Sequence, residues 1–278
     1  MSLHTSLKVG GPANMYAIPE DTEDLQQLLG WLGQRDIPWM PVGRGYNLLV
    51  RDKGFRGAFI SLERFDRVTA LGGPLIKAEA GVENLTVVRF AQKAGLGGIG
   101  FISGIPGTIG GAIKMNAGAY GKGLLERTDH LTLLRGGTVS DFRIEELDYG
   151  YRHLKLADGD IVLAAVFRLD ECEPRHTEEE IRKDLELRRA KHNVGHPSAG
   201  SFFKNPHGQA AWRLIDAAGM RGARVGGAQV SEVHSNFLVN TGGACAADFL
   251  ALAATVINAV FETSGVTLEE EVRIVGEV

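Results

Sequence analysis

Glycine carries the chemistry that can be read first. Gly43-Arg44-Gly45-Tyr46-Asn47-Leu48 follows an apolar run ending at Val42, and a glycine-rich turn after a strand exposes successive backbone N–H groups that can hold a phosphate. A purely structural turn is the alternative reading. The loop lacks the third glycine of a dinucleotide fingerprint, and Leu48-Leu49-Val50 reads as extended chain rather than a helix start, so a Rossmann site is excluded. No G-x-x-x-x-G-K-[ST] occurs. The second segment, Gly104-Ile105-Pro106-Gly107-Thr108-Ile109-Gly110-Gly111-Ala112, holds more small and ring-locked residues than chain reversal needs. A flat or phosphorylated cofactor lying against bare main chain explains it, because glycine removes the Cβ barrier and frees N–H donors. Tight packing of backbone on backbone is the alternative. Asn116 and Tyr120 offer polar contacts just beyond.

The rest of the composition narrows the class. The 278 residues suggest roughly two domains at about 150 residues each. Apolar residues make up 44% and charged residues 23%, which disfavours disorder. With 30 basic against 34 acidic residues the net charge is −4, so no broad nucleic-acid-binding surface is expected. Cys172 and Cys245 stand far apart with no Cys/His spacing; neither a disulfide framework nor a metal site is expected, and a reducing compartment fits. The most apolar stretch, 249–261, reads as about 13 residues, too short for a bilayer. No membrane partner is expected, and Met1-Ser2-Leu3-His4 shows no export signal.

These glycine loops need elements to hold them. Leu25, Leu28, Leu29 and Leu32 recur at helical spacing behind Asp21 and Thr22, which predicts a capped amphipathic helix between short strands at 14–18 and 39–42. Strands are expected at 58–62, 68–71 and 75–80, a helix at 84–94, and a hairpin at 131–142 about Gly136-Gly137. The run 161–169 is apolar almost throughout and predicts a strand buried on both faces. Thr177-Glu178-Glu179-Glu180 reads as a capping box opening a charged helix of about 15 residues. A short helix at 210–218 and a strand at 236–240 precede a long helix at 248–263. In that helix Phe249, Leu252, Ala253, Val256, Ile257, Val260 and Phe261 make one apolar stripe, with Gly265 at its end.

Several motifs together resemble a known family. Thr5-Ser6-Leu7-Lys8-Val9-Gly10-Gly11, the two glycine segments, Tyr151-Arg152, Gly200-Ser201-Phe202-Phe203-Lys204-Asn205-Pro206, Gly226-Gly227-Ala228-Gln229-Val230-Ser231 and Glu271-Val272-Arg273 are similar, in order and spacing, to the UDP-N-acetylenolpyruvoylglucosamine reductases. The resemblance spans nearly the whole chain. It implies an α+β fold: a vanillyl-alcohol-oxidase-type FAD-binding region at 1–172 (subdomains about 1–64 and 65–172), a substrate-binding domain at 173–265, and a C-terminal strand at 266–278 returning Glu271 to the site. It further implies a monomeric, cytoplasmic enzyme. FAD would be held by Val42, Gly43, Arg44, Gly45, Tyr46, Asn47 and Leu48 and by Gly104, Ile105, Pro106, Gly107, Thr108, Gly110, Gly111, Ala112 and Asn116. NADPH would reduce the flavin and leave. The enolpyruvyl ether of UDP-N-acetylglucosamine would then be reduced to UDP-N-acetylmuramate, with Lys191, Asn205 and Gln229 binding the substrate.

The resemblance also implies three catalytic roles. Hydride from flavin N5 to C3 of the enolpyruvyl group leaves charge at C2 spread into the carboxylate. Arg152 would donate to that developing oxyanion. Glu271 would assist in protonated form, since an ionised carboxylate there would oppose the charge, and Ser201 would give C2 its proton. Lys204 is expected to ease that transfer. Without the resemblance Ser201 reads as a loop or cap residue, Arg152 as a surface ion-pair partner and Glu271 as an edge-strand charge.

Departures from the family pattern bear on these expectations. Tyr46 stands where a small serine is usual, and His192-Asn193 where Gln-Pro is common. The interval from Arg152 to Ser201 leaves no room for the tyrosine-bearing loop of the longer branch, which places this chain with the shorter one. Few residues precede Thr5, which leaves open a missing leading strand. Two rivals remain: a flavin-dependent oxidase of a small alcohol or hydroxy acid on the same fold, and a non-catalytic nucleotide-binding protein.

Overall fold

A computed structural model describes residues 1–192 and 194–278, and the side chains of all of these except His176, Glu180 and 187–192. The chain divides into two compact units. One comprises Tyr16–Gly43 and Ala58–Arg188; the other comprises Met1–Met15, Arg44–Gly57 and Arg189–Val278.

In the first of these units α1 spans Thr22–Gly33, and the Asp21 side chain accepts from Asp24 N–H as the leucine spacing predicts. The strand Trp39–Val42 pairs in parallel with residues 58–61, Trp39 opposite Ala58. A five-stranded antiparallel sheet follows, ordered Thr138–Arg143, Thr128–Arg135, Ile161–Arg168, Leu75–Glu79, Val68–Gly72. Ile161–Arg168 is its centre, buried from Ile161 to Phe167, in line with its unbroken apolar run. Against this sheet pack α2, Asn84–Lys93, and α3, Ile109–Lys114. Val87, Val88, Ile109 and Ile113 join Ile76, Leu131, Leu133 and Phe167 in one core.

The capping expectation at Thr177 is corrected. The fourth helix, α4, runs Pro174–His192, so Thr177 lies within its first turns, fully buried, with its hydroxyl on Cys172 Sγ. Proline opens the helix because its fixed φ suits a first turn whose N–H needs no partner.

In the second unit a four-stranded antiparallel sheet is ordered Ser198–Ser201, Phe237–Asn240, Ala228–Val230, Arg224–Val225, with α5, Ala211–Ala217, and α6, Ala246–Ser264. The sixth helix has 19 residues, longer than its apolar stretch, and by length and composition could cross a membrane. Its stripe is spent on the core instead: Phe249, Leu252, Ala253, Val256 and Val260 pack with Phe202, Phe203, Val230 and Leu238, each buried large side chain stabilising by about 1.5–3 kcal/mol. Phe261, expected in the stripe, is 55% exposed, since it follows Val260 by one residue and turns off that face.

This division differs from contiguous boundaries at 172 and 265. Leu7, Val9 and Leu49 belong to the core of α6, and Leu48–Val50 pairs in parallel with Arg273–Val275, Leu48 opposite Arg273. Burial and strand pairing, which sequence order does not reveal, draw residues 1–15 and 44–57 to the C-terminal segment.

Two carboxylates fix the start of α6. Asp52 accepts from Ala246 N–H and Ala247 N–H, both at 2.8 Å. Asp248 reaches back to Cys245 N–H at 3.1 Å and Gly227 N–H at 3.2 Å; these bonds, the Cys245 one foremost, hold its carboxyl below the usual range. Replacing Asp52 with alanine is expected to cost about 1–2 kcal/mol, read as a lower midpoint in thermal or urea unfolding. For Asp248 the folded state favours the ionised form, so its contribution is complete above the unfolded carboxyl pKa of about 4 and falls away below it. The stability gap between the wild type and Asp248→Asn should therefore narrow as pH drops from 6 towards 3.

Candidate active site

Three segments of the second unit converge on Ser201 and Glu271. Ser201 ends its strand opposite Phe237. Beyond it, Phe202 N–H donates to Asn236 O at 2.7 Å, and the Asn236 amide grips Phe203 at both ends, accepting from its N–H at 3.0 Å and donating to its carbonyl at 2.8 Å. With Phe202 and Phe203 sunk in the core, the short strand holding Ser201 is fixed. Residues 269–272 run beside it: Lys204 N–H donates to Glu269 O at 2.9 Å and Glu271 N–H to Phe202 O at 2.8 Å. Glu271 is thereby held next to the residue that follows Ser201.

The first glycine loop joins the same cluster. Asn47 donates through Nδ2 to Glu271 O at 2.9 Å and accepts from Arg273 N–H at 3.1 Å. Gly45 has φ +65, and a Cβ there would stand 2.1 Å from His4 O, so this glycine answers to close backbone approach. The Tyr46 side chain is exposed and asks for no room in the core. Val42 and Leu48 turn their side chains inward, which leaves main chain as what they can offer a ligand.

The second glycine run, in the other unit, does two jobs. Gly110 and Gly43 answer to packing within this unit: a Cβ on Gly110 would lie 3.0 Å from Ala80 Cβ, and one on Gly43 only 2.7 Å from Thr108 Oγ1. Gly111 does not. It is exposed, and its Cβ would meet nothing nearer than 3.9 Å. A helix, α3, starts within the run at Ile109, which the density of glycine concealed. Asn84, missed in the sequence because it reads as a helix-start residue, braces the run: its N–H donates to Gly107 O at 3.1 Å and its Nδ2 to Ile105 O at 3.0 Å. Asn84 Oδ1 and Ser103 Oγ beside the run are buried with no protein partner among the described residues, a cost of about 1–3 kcal/mol each that a bound group or ordered water would remove. Free glycine surface and unsatisfied polar atoms together fit a large polar cofactor such as FAD.

Arg152 belongs to that same unit. Tyr149–Gly150 and His153–Leu154 pair as a hairpin, Gly150 opposite His153, so Tyr151-Arg152 is its two-residue turn. Arg152 takes φ +54, a conformation uncommon for a side-chain-bearing residue and one that gathers at functional sites. Its guanidinium donates to Asn116 O at 3.4 Å and Gly118 O at 3.2 Å and lies over the Tyr151 ring.

The remaining candidates are engaged in the fold. Asn116 donates to Gly150 O at 2.8 Å and accepts from Leu125 N–H at 3.0 Å, buried. Asn205 accepts from Ala211 N–H at 3.0 Å at the start of α5. Gln229, also buried, accepts from Arg224 Nη2 at 3.0 Å and donates to Gly222 O at 3.3 Å. Lys204 forms a salt bridge with Glu269, so its charge is already neutralised locally. The side chain of Lys191, and with it His192-Asn193, lies outside the described residues. No group of three or more His, Cys, Asp or Glu suited to a metal occurs among the described residues.

Known proteins match this arrangement along the whole chain. The family model for the UDP-N-acetylenolpyruvoylglucosamine reductase C-terminal domain matches residues 192–275, and that for an FAD binding domain matches 13–136. The UDP-N-acetylenolpyruvoylglucosamine reductase of Pelobacter propionicus is 73% identical over 277 residues, covering 100% of this chain and 94% of that one. The enzyme of Geobacter sulfurreducens is 54% identical over 278 residues, covering 100% and 92%. The crystal structure of UDP-N-acetylenolpyruvylglucosamine reductase from Thermus caldophilus superposes with a TM-score of 0.85 at 34% identity, covering 98% of this chain and 96% of that one. With its FAD-binding domain and its C-terminal domain both matched, the chain belongs to the UDP-N-acetylenolpyruvoylglucosamine reductase family.

Proposed function

We propose that this chain reduces the enolpyruvyl ether of UDP-N-acetylglucosamine to UDP-N-acetylmuramate at the expense of NADPH, a step in making peptidoglycan precursors. The observation that carries the residue assignment is the bond from Glu271 N–H to Phe202 O, which sets the main chain carrying the carboxyl beside the end of the strand that carries the Ser201 hydroxyl. Free Cys172 and Cys245 suit the cytoplasm, where such precursors are made.

Bound FAD supplies the hydride. The first glycine loop would hold it through the main chain of Val42, Gly43, Arg44, Gly45, Tyr46, Asn47 and Leu48. The run from Gly104 to Ala112 would contribute bare backbone, Gly111 being exposed. Asn205 and Gln229 shape the substrate side, and Lys191 is placed there by family position alone.

Once hydride reaches C3 of the enolpyruvyl group, the chain must manage charge at C2 and the adjoining carboxylate. Arg152 donates hydrogen bonds to the developing enediolate; removing one such donor costs about 10² to 10³ in rate. Its guanidinium donates to two main-chain carbonyls, which hold it in place. Glu271 donates from its protonated form. Ser201 then gives its hydroxyl proton to C2 and is reprotonated from solvent.

These roles separate in the two half-reactions. In Ser201→Ala, bleaching of the flavin by NADPH should proceed at near wild-type rate while reoxidation by the enolpyruvyl substrate falls by about 10² to 10⁴; equal slowing of both would remove Ser201 as the proton donor. Glu271→Gln keeps a neutral donor at full length and should retain more reoxidation rate than Glu271→Asp, which keeps the carboxyl but shortens the arm. If stopped-flow traces show the reverse order, Glu271 acts as an anion.

A further inference from the structure

Asn116 stood in the sequence as a cofactor contact, but its geometry assigns it another task. We infer that Asn116 is a positioning residue for Arg152, locking the hairpin turn that carries the guanidinium to the strand-and-loop segment that the guanidinium itself grips. This rests on the reading of Arg152 as the oxyanion donor.

Four hydrogen bonds close one ring. Asn116 Nδ2 donates to Gly150 O at 2.8 Å, two residues before Arg152. Asn116 Oδ1 accepts from Leu125 N–H at 3.0 Å. Returning, Arg152 Nη1 donates to Asn116 O at 3.4 Å and Nη2 to Gly118 O at 3.2 Å. One residue therefore holds the Arg152 backbone through its side chain and the Arg152 side chain through its carbonyl.

The ring is strained in a way that only certain residues tolerate. Asn116 has φ +39 and Arg152 φ +54, two of the five non-glycine residues with positive φ among the described residues. Asparagine is among the side chains that accept this region most readily. The space is also tight: a Cβ on Gly123 would stand 2.8 Å from Asn116 Oδ1. Asn116 is buried, so losing its Nδ2 donor leaves Gly150 O without that bond and frees the turn to relax its unfavourable φ. A guanidinium displaced by about 1 Å from its productive position can lose about 10²-fold in rate.

Asn116→Asp tests this most cleanly, because it keeps the size, the left-handed tolerance and the acceptor for Leu125 while removing the donor to Gly150. Asn116→Gly, which keeps the backbone preference without any side chain, is the second variant should the buried carboxylate prevent folding. Each is measured for FAD affinity, flavin reduction by NADPH, and reoxidation by the enolpyruvyl substrate, alone and combined with Arg152→Ala. The expected result is unchanged FAD affinity and flavin reduction, reoxidation slowed by about 10²-fold with KM moved far less than kcat, and little further loss when the change is added to Arg152→Ala. Weakened FAD binding would overturn the inference in favour of a cofactor contact. So would wild-type reoxidation, or a loss that multiplies fully with that of Arg152→Ala. If Arg152→Ala alone leaves reoxidation intact, the reading of Arg152 itself has failed, and that is seen before Asn116 enters.

Discussion

The main-chain bond between Glu271 N–H and Phe202 O, 2.8 Å long, is the constraint on which the proposed chemistry depends. It aligns residues 201–204 with 269–272, and both of those short segments gain their rigidity from elsewhere. Phe202 and Phe203 anchor one of them in the core of α6, and the Asn236 amide pins its backbone. The other continues into Arg273–Val275, which pairs with Leu48–Val50 at the end of the first glycine loop. The main chain that carries the hydroxyl, that which carries the carboxyl and that of the loop are therefore parts of one hydrogen-bonded assembly. Held this way, the groups lose little conformational entropy when a substrate arrives, which is the physical content of preorganisation.

Glycine serves two ends here, and the structure separates them. At Gly45 and Gly110 the missing Cβ admits a neighbouring backbone or side chain of the same unit. At Gly111 no neighbour requires it, which leaves that main chain open to solvent. The sequence reading treated these two uses as rivals for the whole run; they are divided residue by residue instead.

Elements whose cause is local were legible in the sequence. The leucine spacing of α1, the Gly136-Gly137 hairpin and the doubly buried strand Ile161–Arg168 all followed from periodicity and turn chemistry. Long-range causes were not. Nothing in the order of residues says that Asp52 caps α6 or that Leu48 pairs beside Arg273, because both depend on contacts across some two hundred residues. The site shows the same split. Glycine chemistry alone pointed to a cofactor, whereas Ser201, Arg152 and Glu271 have no distinguishing spacing and are proposed through family resemblance. Asn236 and Asn84 were overlooked since an isolated asparagine gives no pattern, although an asparagine that opens the apolar run Phe237-Leu238-Val239 is a signal that could have marked Asn236.

The account stands on Ser201 facing the carbon that takes the proton. A crystal structure of the FAD-loaded protein with the enolpyruvyl substrate bound tests this directly. It should place Ser201 Oγ at about 3 Å from C2 or one water away, with the Glu271 carboxyl against the substrate carboxylate. A substrate seated with C2 well beyond that reach, or with Ser201 turned into the protein, would contradict it.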